Sequence, residues 1–111
     1  DLNESLHRDI EEFLKELNEK YNDELNMDEE FIRKIFSVIK ISIYKSKFNI
    51  VQKNLDFTDV PKYCLKIFNT IYEMVPKYFM EFVMEDFILL AIILQENIDK
   101  KKYAENLREY L

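Results

Sequence analysis

The stretch Glu85-Asp86-Phe87-Ile88-Leu89-Leu90-Ala91-Ile92-Ile93-Leu94 decides the fold class. From Phe87 to Leu94 it is the longest uninterrupted apolar run in the chain, eight residues. A run of that length reads as a buried strand or as part of a buried helix. Helix is the better reading, because Glu85 and Asp86 suit the positive N-terminal end of a helix and nothing else in the chain offers strands to pair with. Being apolar all round, the helix must either sit in the core or have one face covered by a partner chain. In the second case Phe87, Leu90, Ile93 and Leu94 are the candidate interface. Eight apolar residues fall far short of a membrane span.

Composition points the same way. The 111 residues fit one domain, and that length buries a core without disulfides or metal. Apolar residues make up 48% and charged residues 34%, a globular mixture. Glycine is absent, which argues against Gly-rich phosphate loops, nucleophile elbows and tight hairpins. The single Cys64 lies among apolar residues and reads as a buried free thiol in a reducing, cytoplasmic setting. The acidic start Asp1-Leu2-Asn3-Glu4 lacks an apolar signal-peptide core, and a chain opening without Met reads as a piece of something longer.

Working outward from the apolar run, helical spacing marks out an all-α bundle of about five helices. The first runs from about Glu4 to Tyr21, with Ile10, Phe13, Leu14, Leu17 and Tyr21 on one face. A second follows an N-cap at Asn26, with Glu29 at the capping-box position, and ends near Lys45 to Lys47. Its stripe is Phe31, Ile32, Ile35, Phe36 and Ile39. Val38, Ile41 and Ile43 widen that stripe, so it should touch neighbours on more than one side. Residues 48–58 form a long connection. Thr58 is the expected cap of a third helix holding Pro61 in its first turn, then Tyr63, Cys64, Ile67, Phe68, Ile71 and Val75. Pro76 predicts a break or kink near Val75. Met84-Glu85-Asp86 opens the fourth. Asp99 to Leu111 is a short fifth, with Tyr103, Leu107, Tyr110 and Leu111 at helical spacing. Lys100-Lys101-Lys102 would oppose the dipole at the start of that fifth helix, so they suit better the carbonyl end of the one before.

Charge is unevenly spread. Residues 1–30 carry twelve acids and three bases, while residues 31–54 carry six bases and no acid. Arg33, Lys40, Lys45 and Lys47 either pair with the acidic first helix or form an anion- or nucleic-acid-binding strip, with Tyr44 as the aromatic between them.

The chemistry of catalysis is thin. His7 is the only histidine, near Glu4 and Glu11 in an acidic helix, and reads as a surface residue. The pairs Glu11-Glu12 and Glu29-Glu30 read as solvated helix surface. Glu85-Asp86, flanked by apolar residues, is the one pair where a desolvated acid is conceivable. No Glu-x-x-His motif of a di-metal bundle occurs. No enzyme activity, metal or cofactor is expected.

Two segments resemble the signature helices of the PTS regulation domain of bacterial antiterminators, activators and Mga-type regulators. These are Phe31 to Ile50 and Glu85 to Leu94, the second being an acidic pair that opens an apolar helix. The resemblance implies a helical bundle that dimerises and sets the activity of an attached nucleic-acid-binding domain. Family histidines that accept phosphate would fall at Val38 and Ile93, and the Asn-Pro pair is replaced by Asn49-Ile50. The resemblance therefore implies a degenerate copy acting by packing and dimerisation, without phosphotransfer. The resulting expectation is a non-catalytic regulatory and dimerisation module of a cytoplasmic transcriptional regulator, 1–111 being one domain. Its partner would be itself or a sister domain, with nucleic acid reached only through an attached domain. The alternative is a nucleic-acid-binding helical domain using residues 33–53.

Overall fold

A computed structural model describes residues 2–111. It contains α1 (Leu2–Lys20), α2 (Glu29–Lys47), α3 (Leu65–Tyr78) and α4 (Met84–Tyr110). Two 3-10 turns, Phe57–Asp59 and Lys62–Cys64, lie in the connection before α3. There is no strand among the described residues, so the apolar run is helical as expected. The helices close a ring: α1 meets α2 and α3, and α4 meets α2 and α3. α1 and α4, and α2 and α3, stand diagonally across it, with no close backbone approach among the described residues.

Each helix turns one apolar face into this ring. α1 contributes Ile10, Phe13, Leu14 and Leu17, the stripe read from the sequence. α2 contributes Phe31, Ile35, Val38 and Ile39, and α3 contributes Ile67, Phe68, Ile71, Met74 and Val75. Phe87, Ile88, Leu90, Ala91, Leu94 and Ile98 come from α4. Burying a side chain of this size stabilises the fold by about 1.5–3 kcal/mol each. Cys64 joins the core, its thiol donating to the Pro61 carbonyl at 3.5 Å. Burial pushes that thiol above its ordinary ionisation range.

Four helices replace the expected five because α4 runs unbroken from Met84 to Tyr110. The three lysines therefore lie in mid-helix, far from any N-terminus, and their charge opposes no dipole there. Lys101 instead reaches across to the carbonyls of Asp23 and Leu25 in the α1–α2 loop.

The helix starts also differ. Asp28, not Asn26, caps α2: its Oδ1 accepts from the Phe31 N–H at 2.8 Å. Asn26 supports that cap from outside, its side-chain amide donating to Asp28 Oδ2 at 3.2 Å. Thr58 caps no α-helix. Asp56 caps the first 3-10 turn in a reciprocal box with Asp59, and Pro61 precedes the second turn rather than entering α3. Pro76 lies inside α3, which ends two residues later at Tyr78. Its missing N–H is confined to the last turn, where the Phe79 N–H still bonds the Val75 carbonyl at 2.9 Å.

Without glycine, positive φ falls to other residues. Asn49, at φ 51, terminates α2. The Asn49 N–H donates to Ser46 O at 3.3 Å and the Ile50 N–H to Lys45 O at 3.0 Å, the paired bonds of a Schellman end. Asn tolerates this left-handed geometry better than most residues.

Candidate association surface

Three of the four side chains expected at an interface belong to the bundle's own interior. Leu90 and Leu94 are fully buried and Phe87 nearly so, because they face α2 and α3. Only Ile93 is half-buried, beside α2. What α4 leaves outside is a different set. Leu89 is 40% exposed, Ile92 is half-buried, and from Lys102 onward every residue is exposed.

Helix geometry explains the split. Tyr103 lies nine residues beyond Leu94, about two and a half turns, and so points away from the core. Leu107 lies about five full turns beyond Leu89, and Tyr110 about five beyond Ile92. Leu89, Ile92, Tyr103, Leu107 and Tyr110 thus share one outward face, opposite Leu90, Leu94 and Ile98. α4 carries two apolar stripes on opposite sides. The inner one ends at Ile98, and the outer one continues past it. Composition along the run revealed the excess of apolar surface, but the division between faces needed a continuous helix, which the sequence reading had cut at Asp99.

The basic segment 33–53 is largely matched within the chain. Arg33 meets Glu29 at 3.0 Å and Lys34 meets Glu30 at 3.6 Å, both one turn apart on α2. Lys45 reaches Asp86 at 3.4 Å. Lys40 lies over the Phe36 ring and Lys47 over the Phe48 ring. Tyr44 packs on Phe48 with ring centroids 4.5 Å apart, and both are more than half exposed. They border an open groove of about 1100 Å³ between the start of α1 and the end of α2. The acids that neutralise Arg33 and Lys34 are neighbours on α2 itself, not residues of α1.

Asp86 is the one buried acid among the described residues. It stands in the first turn of α4 and takes Lys45 on both carboxylate oxygens, at 3.4 and 3.5 Å. One turn earlier on α2, the buried Ser42 hydroxyl accepts from the Val83 N–H at 3.0 Å, at the N-cap of α4. Ser46 donates to Glu81 at 3.2 Å. Ser42, Lys45 and Ser46 therefore make a polar seam that seats the start of α4 on α2, and Asp86, of the acidic pair opening the apolar run, belongs to it. His7 pairs with Glu11 at 3.3 Å, both more than half exposed, and packs against Phe36.

Sequence reasoning missed two further ties. Asn97 pairs its side-chain amide with the backbone of Asn26: its Oδ1 accepts from the Asn26 N–H at 2.7 Å and its Nδ2 donates to the Asn26 carbonyl at 2.9 Å. Tyr78 donates its hydroxyl to Glu16 Oε1 at 2.9 Å, joining α3 to α1. Burial, then the Glu16 hydrogen bond and the nearby acids Glu12 and Glu19, push the Tyr78 phenol up to about 12.

Val38 and Ile93, the two positions singled out in the signature segments, line the same shallow groove between α2 and α4, with Glu30, Arg33, Lys34 and Ser37. Comparison with protein-family models, with curated proteins and with solved structures finds no match. No helix among the described residues is long and apolar enough to cross a membrane.

Proposed function

We propose that this chain is a non-catalytic association module, a helical bundle whose work is to bring protein chains together through α4. The outward stripe Leu89, Ile92, Tyr103, Leu107 and Tyr110 carries the reading. It leaves Leu89, Tyr103, Leu107 and Tyr110 exposed on one side of α4, with Ile92 half-buried beside them. Large exposed apolar side chains grouped on one helix face, on either side of a charged middle, are the kind of surface that protein contact sites use. Tyr is also enriched in such contacts, because it gives area at low entropic cost.

A place in a transcriptional regulator is the biological setting we propose. It rests on the resemblance to the PTS regulation domain and is supported by the shared groove of Val38 and Ile93. An aliphatic pair there accepts no phosphate, so regulation would pass through packing and chain association.

The test is the native size of the protein in an extract of its own cells, read by gel filtration and compared with a Tyr103→Glu, Leu107→Glu variant. The expected result is an assembly larger than one chain that collapses in the variant while helical content is kept. An unchanged size in the variant would sink the reading.

A further inference from the structure

Part of the outward face of α4 is symmetric in sequence about one level. Its middle is charged: Glu96 and Lys100 are both exposed, lie one turn apart, and make no ion pair among the described residues. The level of Ile98 lies midway between them. Counted from that level, Glu96 and Lys100 are each two residues away, and Leu89 and Leu107 each nine. At about 3.6 residues per turn all four fall on the outward side of the helix.

Resting on the association reading above, we propose that the occupant of this face is a second copy of the same chain, with the two α4 helices antiparallel and crossing at Ile98. In that arrangement Glu96 of each copy faces Lys100 of the other. Leu89 faces Leu107. A two-fold interface brings the same patch of both copies together, so a patch must be complementary to itself. Opposite charges at equal distances from the axis meet that condition, and apolar partners at equal distances do so as well. A parallel pairing in register would set Glu96 against Glu96 and Lys100 against Lys100, and like charges so juxtaposed oppose association. The face thus selects its own copy in one orientation.

Sedimentation equilibrium of the purified chain tests this at low and moderate salt. The unmodified chain is expected to be a dimer. Glu96→Lys and Lys100→Glu should each weaken dimerisation by tenfold or more. The double exchange Glu96→Lys, Lys100→Glu should restore it, since each lysine again faces a glutamate. Orientation is read by oxidising a mixture of Leu89→Cys and Leu107→Cys chains. Antiparallel pairing gives the mixed disulfide, and predominant like-with-like disulfides would overturn the proposal. A purified chain that stays monomeric would overturn it too. If the extract still shows an assembly that the Tyr103→Glu, Leu107→Glu variant abolishes, the association reading survives and only the identity of the partner falls.

Discussion

Lys45 Nζ stands 3.4 Å from Asp86 Oδ1, across the contact between the end of α2 and the start of α4, with the Asp86 side chain 3% exposed. Removing only the lysine leaves a carboxylate buried without its counter-charge. Lys45→Met is therefore expected to cost about 3 kcal/mol in urea unfolding. Lys45→Met combined with Asp86→Leu should recover most of that loss, because no buried charge remains. A double variant as unstable as the single one would show that the seam depends on something other than this pair.

The two faces of α4 make opposite predictions for the same substitution. Leu94→Ala opens a cavity in the core and should cost about 3 kcal/mol. Leu107→Ala, in dilute protein where copies are apart, should change stability by no more than about 0.5 kcal/mol. Thermal unfolding at low protein concentration separates them. Equal losses would mean that Leu107 packs within its own chain.

Asn97 holds both the N–H and the carbonyl of Asn26. Asn97→Ala should cost about 1 kcal/mol, since the freed backbone is exposed to water. Hydrogen exchange at the Asn26 amide should quicken by more than exchange in the α3 core. If that amide keeps its protection, the loop is held by Lys101 alone.

Tyr78 gives the fold an alkaline limb. Its phenol ionises at about 12 in the folded chain against an ordinary 10.0, so between those values the folded form holds the proton more tightly. The stabilisation is full below pH 10 and is lost as pH rises toward 12. Tyr78→Phe should flatten the fall in stability over that window. In an ultraviolet titration it should also remove the last phenol to ionise.

At Asn49 the backbone has φ 51. Asn49→Ala should cost about 1 kcal/mol, because a Cβ without a local polar partner disfavours that conformation. Asn49→Gly should be neutral or stabilising. Denaturant midpoints of the two variants give the comparison directly.

Periodicity carried most of the architecture. The stripes of α1 and α3 and the helical state of the run 87–94 follow from local spacing, which burial alone enforces. Caps were less legible. Asn26 and Asp28 are both good capping residues, and only the grip of Asn97, distant in sequence, commits Asn26 to the loop. Thr58 misled for a similar reason: Asp56 and Asp59 close a 3-10 turn around it first. The division at Asp99 came from a real signal, the shift of the apolar stripe to the other side of the helix. That shift marks a change of face within one helix, and spacing alone does not distinguish it from a new helix. Likewise the basic run 33–53 was plain in the sequence, but Asp86, the buried counter-charge of Lys45, is forty-one positions away.

The continuity of α4 would couple the proposed assembly to folding. A helix of three turns standing free in water is marginal on its own, because starting a helix is the unfavourable step. Here the packed half, Met84 to Ile98, supplies that start, and the outer turns only extend it. Tyr103, Leu107 and Tyr110 are aligned only while those turns stay wound. A chain that has not closed its core offers three scattered aromatic and aliphatic residues in place of a surface. In the association proposed above, the stripe would admit finished copies to the complex and leave misfolded ones outside it, a form of proofreading that needs no additional protein.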